Sequence, residues 1–322
     1  MEEIRIPNQA TYSPVSLLEL GVAAPILSRL LLRASAPGLA LQTAALAVYA
    51  ASAFDDWVAR RGVRRIDFQA VFGVDVRTLP TVPTAAREHE VRVLVERLND
   101  GYTAERIPRR DLARRVDRHL TDLIATVTGQ RVQTSTEIRD FSVFGLAFPF
   151  ALGTSDILSG DVAILRDTGI FEPHVLIHEL AHRKGYWKEL HAQVLSYLAL
   201  ARSGEPVLVQ AALAERLSRQ LSALAGRDPA AYRDRAGSVG LRPELERQFA
   251  GLRPTQDPIM AAFAGAMKEL YELRLRATGQ NGISDYDVGF TALLYALERG
   301  PHAHRAAEGT ARIWEPELAE AR

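Results

Sequence analysis

Cysteine is absent from the 322 residues, which removes disulfide frameworks, thiolate metal sites, iron–sulfur clusters and thiol nucleophiles. Lysine is scarce as well. Lys184, Lys188 and Lys268 are the only ones, and arginine carries the rest of the positive charge. There is no excess of either sign: 39 basic side chains face 39 acidic ones. That balance argues against nucleic-acid binding, which draws on a strong basic surplus. No internal repeat and no low-complexity tract is visible. Residues 1–7 lack the basic start and apolar core of a cleavable signal peptide. What remains is an ordinary globular composition, 47% hydrophobic and 24% charged, long enough to bury a core in one large or two modest domains.

The most apolar stretch comes early. Residues 17–32 are leucine-rich and carry only Glu19 and Arg29, and residues 37–54 carry no charge at all. The second stretch is near the minimum length for crossing a bilayer core. Asp55, Asp56 and Trp57 close it. Arg60, Arg61, Arg64 and Arg65 come next, a cluster that favours a cytoplasmic side for the chain beyond it. Membrane association through residues 12–57 is one reading, at a bacterial inner membrane, with a cytoplasmic protein as the other. In the latter case the stretch is a buried hairpin of two alanine-rich helices.

Residues 66–86 read as a turn-rich connection, broken by Gly73, Pro80 and Pro83. Helical periodicity predicts helices over 85–100 and 109–128, the second with Leu112, Val116, Leu120, Leu123, Ile124 and Val127 on one face. From 131 to 166 the chain turns β-like. Ile157-Leu158 and residues 162–165 flank Ser159-Gly160-Asp161 as a short hairpin. Helices are expected again over 173–184, 187–202, 206–225, 257–278 and 286–299. The arginines and acids at helical spacing in 206–250 read as a solvated or interface face.

One segment carries chemistry. His178-Glu179-Leu180-Ala181-His182 is an H-E-x-x-H motif. Four residues apart on a helix, His178 and His182 share a face and can offer two imidazoles to one Zn2+ ion. Glu179 then sits beside the metal as a general base. Two imidazoles and a carboxylate leave an open position for water. Pro173 and Glu172 suit the start of such a helix, and Gly185 is placed to end it. A glutamate between two histidines on an apolar helix is hard to explain as core.

The third ligand is Glu189 or His191. Glu189 stands three before Ala192, as in the E-x-x-A/S-D/N segment of many glutamate-type zinc peptidases, with Gln193 where Asp or Asn is usual. His191 would make a three-histidine site. His174, one turn before His178, reads as a helix-start residue. Tyr286 is the candidate donor to the oxyanion of a peptide carbonyl under attack, with Tyr186 and Tyr271 as alternatives. Residues 162–165 are placed to be an edge strand pairing with an extended peptide or protein substrate. His302 and His304, in the tail, read as solvated; His89 and His119 read as surface or packing residues.

Several of these segments resemble a bacterial family catalogued as a domain of unknown function, number thirty-eight-ten, regarded as membrane-associated metallopeptidases. The central block is His178-Glu-Leu-Ala-His182-x-x-Gly185. After it comes Glu189-Leu-His191-Ala192-Gln193, where the family has E-x-E-A-N-F. Phe144-Gly-Leu-Ala-Phe148-Pro-Phe150 is similar to its G-x-x-F-P-F segment. Gly279-Gln-Asn-Gly282-Ile-Ser-Asp-Tyr286 is similar to its G-Q-x-x-G-x-x-S-Y run, and residues 72–77 are more weakly similar to its W-G-L-N-Y-x-R element. The resemblance spans about residues 70 to 299. It implies several N-terminal membrane helices, of which this chain offers one good candidate.

The expected organisation is an apolar helical segment over 1–65, a metallopeptidase domain over 66–300 and a tail over 301–322. The expected fold is mainly α with a small β-sheet (α+β), with a zincin-like active-site helix and a helical C-terminal half over it. The expected function is a zinc metallopeptidase. The competing expectations are an inactive relative serving as a structural or interaction subunit with a protein partner, and a zinc hydrolase acting on other bonds. No cofactor besides Zn2+ is expected.

Overall fold

The helical periodicities emerge as helices. The computed structural model describes residues 1–32, 35–143, 151–253 and 258–299. The described residues are 67% helical and form two sheets of two strands each, so the mainly α expectation holds, although the β structure is divided rather than one sheet. The G-x-x-F-P-F-like segment 144–150 and the tail with His302 and His304 lie outside the described residues.

The chain divides into two units. The first comprises residues 1–65, 109–167 and 175–187. In it β1 (Glu2–Arg5) pairs in parallel with β2 (Gln130–Gln133), in register from Glu2 with Gln130 to Arg5 with Gln133. Between them run α1 (Leu17–Leu32) and α2 (Ala36–Arg60), packed against each other. The expected alanine-rich hairpin is therefore present, but it is not buried. Leu30, Leu31 and Leu39 are 72%, 76% and 62% exposed. The unit's core is built instead on α5 (Arg109–Thr128), which leads into β2 and buries Leu112, Val116, Leu120 and Ile124 along one stripe.

The second small sheet differs from its expected form. β3 (Gly153–Ser155) pairs antiparallel with β4 (Val162–Ile164), so the arm preceding the turn is Gly-Thr-Ser, and Ile157 and Leu158 lie in the exposed loop. Nor is β4 an edge. Its other side is occupied by Arg139, whose N–H donates to the Val162 carbonyl at 2.9 Å and whose carbonyl accepts from the Ile164 N–H at 2.9 Å. A further strand cannot add there. Within this sheet, among the described residues, β3 has a single strand partner.

The second unit comprises residues 66–108, 168–174 and 188 onward. The turn-rich connection contains a short helix, α3 (Phe68–Phe72), before α4 (Thr84–Asp100). α6 (Glu172–Arg183) begins here, but its motif-bearing part from residue 175 onward belongs to the first unit, and α7 (Glu189–Ala201) comes after it. α8 (Pro206–Leu224) packs on α4, α7 and, further on, α9 (Pro229–Ser238) and α12 (Val288–Arg299); α10 (Pro243–Leu252) packs on α9, and α11 (Pro258–Ala277) precedes the last turn of the site.

The charges of α8 are not a solvated face, contrary to their spacing. Arg216 is buried and donates to Glu90 of α4 at 2.5 Å, to Glu298 of α12 at 2.5 Å and 2.9 Å, and to the Tyr197 hydroxyl of α7 at 3.0 Å. Glu215, one residue earlier, accepts from Arg219 and Gln193 at 2.6 Å each and faces His174 at 3.8 Å. Charges buried in this way hold only because each is paired and hydrogen-bonded.

Burial would raise the Glu215 carboxyl, but Arg219, His174 and Gln193 outweigh it and hold it at about 2, below its ordinary 4.5. Its folded pKa is depressed, so its stabilisation is full above 4.5 and is lost as pH falls from there through about 2. Urea unfolding across this range should show a loss on the order of 3 kcal/mol, absent in Glu215→Gln. An equal slope in both proteins would refute the assignment.

Candidate metal centre

α6 is buried along nearly its whole length through Val175, Leu176, Ile177, Leu180 and Ala181. It ends where Gly185 takes φ 100, a conformation that L side chains avoid. The Gly185 N–H donates to the His182 carbonyl at 2.9 Å and the Tyr186 N–H to the Ala181 carbonyl at 3.0 Å, the paired bonds of a Schellman cap. This turn brings the Tyr186 carbonyl to 2.9 Å from His182 Nδ1. A carbonyl can only accept, so Nδ1 carries the proton and Nε2 is left with its lone pair.

That lone pair points at His178. The two Nε2 atoms stand 3.1 Å apart, with the rings edge-on at 84°. Two nitrogens bound to one tetrahedral zinc at ordinary bond lengths would be about 3.3 Å apart. Glu189 completes the group. Its ligand atom and those of His178 and His182 all lie within 4.8 Å of one another, and all three residues belong to one short run of chain, 178–189. Two imidazoles and one carboxylate suit zinc better than magnesium or calcium, which prefer oxygen.

His191 is not in the group. Two positions after Glu189 on the same helix it lies about 200° around the axis, with its ring 4.5 Å from that of Phe68. Burial lowers its pKa to about 4, so it sits there as a neutral imidazole. His174 faces Glu215 rather than the histidine pair, as a helix-start residue can. His89 and His119 are half-buried on α4 and α5.

Glu189 is held from its own unit. Its N–H donates to the Gln280 side chain at 2.8 Å, and Oε1 accepts from the Tyr271 hydroxyl at 2.7 Å. The Tyr286 hydroxyl lies 3.1 Å from that of Tyr271 and bonds to Glu189 as well. Burial first, and the Glu189 carboxylate second, push both phenols far up, so both remain donors. Tyr271 and Gln280 were not legible as partners of Glu189. The hydroxyl of Tyr186 is committed to the Arg64 carbonyl at 3.2 Å, and its role is through its backbone.

Glu179 lies beside β3. A Cβ on Gly153 would meet Glu179 Oε1 at 2.9 Å and Val175 Cγ1 at 3.0 Å. Only glycine lets the strand approach the carboxylate so closely.

Behind the motif stand Arg183 and Lys184, both 0% exposed. Arg183 donates to the carbonyls of Gly160, Ser135 and Glu137 at 2.6, 2.7 and 2.8 Å. Lys184 meets Asp117 at 2.7 Å, the Thr121 hydroxyl at 2.9 Å and the Val132 carbonyl at 2.9 Å. Burial lowers both, Arg183 to about 10, while Asp161 and Asp117 oppose it. Lys184, which spacing left unexplained, is thus an anchor, while Lys188 occupies the N-cap position of α7 without a side-chain capping bond.

Residues 168–295 match the sequence model of a family described as a protein of unknown function (DUF3810). The matched span contains the motif helix, Glu189, Gln280 and Tyr286. No curated protein and no solved structure matches the chain.

Both the anchor and the ligand set can be measured. Lys184→Met leaves Asp117 without its cation and should cost about 3–5 kcal/mol in urea unfolding; adding Asp117→Asn should recover most of it, and no recovery would refute the pairing. Zinc analysis of purified protein should give about one equivalent per chain. Glu189→Ala should lose it and His191→Ala should keep it; the reverse pattern would reinstate His191.

Proposed function

We propose that this protein is a zinc-dependent metallopeptidase. The observation that carries the reading is the meeting of His178, His182 and Glu189, with Glu179 on the same helix as the two histidines. Zinc bound to those three residues supplies Lewis acidity, which acidifies water and polarises a substrate carbonyl.

The protein's own groups do the rest. The Tyr186 carbonyl keeps the His182 ring turned with Nε2 outward. Glu179 accepts a proton from the attacking water and returns it to the departing amide nitrogen. Gly153, having no side chain, brings β3 directly against the Glu179 carboxylate. The unpaired side of β3 can take an extended peptide by strand addition, so the expected docking strand shifts from β4 to β3. Tyr286, kept protonated, is the donor assigned to the developing oxyanion, to which its one proton turns from Glu189 while Tyr271 keeps its own bond to that carboxylate. The setting is at or near a membrane, a reading supported by the length and apolar composition of α2.

A fluorescence-quenched peptide library tests this directly. Glu179→Gln should lower turnover by about a hundredfold or more while zinc content stays at the wild-type level. Tyr286→Phe should lower kcat by about a hundredfold with little change in KM. A zinc-loaded wild-type protein that cleaves no peptide in the library, or full activity in Glu179→Gln, would overturn the reading.

A further inference from the structure

The hairpin of α1 and α2 is built inside-out. Where the two helices touch, the buried residues are small: Gly21, Ala24 and Ser28 on α1, and Gly38, Ala45 and Ser52 on α2, the last three at seven-residue spacing. A Cβ on Gly38 would come within 3.1 Å of Leu32 and 3.6 Å of Ser28. The large apolar side chains point away from the contact. Leu20, Val22, Ile26, Leu27, Leu30 and Leu31 are all exposed. At 100° per residue they cover about half of the circumference of α1. Leu39, Leu41, Leu46 and Val48 are exposed on α2.

A water-soluble hairpin turns its large apolar residues inward, whereas helices in lipid pack through small residues and leave the large ones to the acyl chains. The hydroxyls agree: Ser28 and Ser52 donate to the Pro25 and Tyr49 carbonyls of their own helices, so neither needs water. A second copy of the chain would cover one stripe and leave the remainder wet. An apolar surface that covers half of one helix and continues onto its neighbour fits a bilayer.

Both ends of the hairpin are tied to the same unit. β1, before α1, pairs with β2; the Asn8 N–H donates to Asp56 at 2.6 Å; Ser142 donates to Glu19 at 2.6 Å; and Tyr49 donates to Asp156 at 3.0 Å. A single span through α2 would put β1 and β2 on opposite sides of a membrane, which the pairing forbids. The part of α2 before Tyr49 is about 20 Å long at 1.5 Å per residue, short of the roughly 30 Å hydrocarbon core. Arg29, exposed near the end of α1, further limits the depth, because its guanidinium must reach headgroups. Phe54 and Trp57 are exposed at the base, as are Arg61 and Arg65 just after them, suited to the interface and to anionic headgroups.

We propose that α1 and α2 form a monotopic anchor, a hairpin dipped into one face of a lipid bilayer that returns to the side it entered from. β1, β2 and the end of the motif helix then share that side. The proposal does not depend on the metal centre.

The test uses the full chain with vesicles of phosphatidylcholine, with and without phosphatidylglycerol. The wild type should float with both, more strongly with the anionic lipid. Leu30→Glu with Leu39→Glu should reduce flotation by about tenfold or more. Both sites are exposed, so helical content and thermal unfolding should be unchanged. Topology is read from single cysteines in a chain that has none, Glu3→Cys and Arg61→Cys, in sealed vesicles from expressing cells. An impermeant maleimide should label both or neither until the vesicles are opened. One labelled and one protected would establish a span and overturn the hairpin. A wild type that fails to float, or that forms a dimer dissolved by the two glutamates, would overturn the bilayer as occupant.

Discussion

Two cations buried side by side, Arg183 and Lys184, hold the end of the motif helix. A helix that must present His182 cannot fray at its last turn, yet its terminal carbonyls have no partners within the helix. The Schellman turn at Gly185 satisfies two of them. Arg183 and Lys184, pointing away from the histidine face, clamp that turn to the 130s strand and loop, the Gly160 turn and α5. The same turn supplies the Tyr186 carbonyl to His182. A single piece of backbone geometry therefore ends the helix, fixes the tautomer of His182 and starts the chain toward Glu189. Burying charge on this scale is costly unless every donor is used, and here nearly every donor has a carbonyl, hydroxyl or carboxylate.

The two units handle apolar surface in opposite ways. In the second, α7 and α8 are buried nearly throughout, and the charges that enter that interior do so in groups, as Arg216 does with Glu90 and Glu298. In the first, the core is on α5 and the end of α6, while α1 and α2 present leucine outward. Composition cannot distinguish these cases, because a leucine counts the same whether it faces a neighbour or solvent. Burial distinguishes them, and it separates the hairpin from the rest of the chain.

Legibility divided along similar lines. α5 could be read residue by residue, because its apolar stripe recurs at helical spacing and its tertiary contacts agree with it. β3 could not: Gly-Thr-Ser has little strand propensity, and the neighbouring Ile157-Leu158, which has more, is left in the loop. α9 and α10 are short, and each begins on a proline that reads equally well as a breaker. On α8 the solvated-face reading of 206–250 failed because charge spacing reports periodicity but not partners, and Glu90 and Glu298 are remote in sequence; beyond α8, Asp228, Asp234, Arg235 and Arg247 are exposed as read. The choice between Glu189 and His191 was open for a similar reason. Spacing admits both, and only the position of α7 turns one toward the histidines. Tyr271 stands 82 residues from Glu189, beyond what spacing in the chain can show.

The case for an inactive relative rested on two departures from the family pattern, His191 where it has glutamate and Gln193 where it has asparagine. Their positions weaken that case. His191 packs its ring on Phe68, on the side of α7 turned from Glu189. Gln193 donates to Glu215 at 2.6 Å, inside a buried ionic group that includes Arg219 and Asp287. A neutral imidazole against a phenyl ring and an amide that satisfies a buried carboxylate are choices about packing within α7, α3 and α8. Neither changes the number of ligand atoms at His178, His182 and Glu189, and neither touches Glu179. The His182–Tyr186 contact, the 3.1 Å approach of the two imidazoles and the close fit of Gly153 against Glu179 involve neither residue.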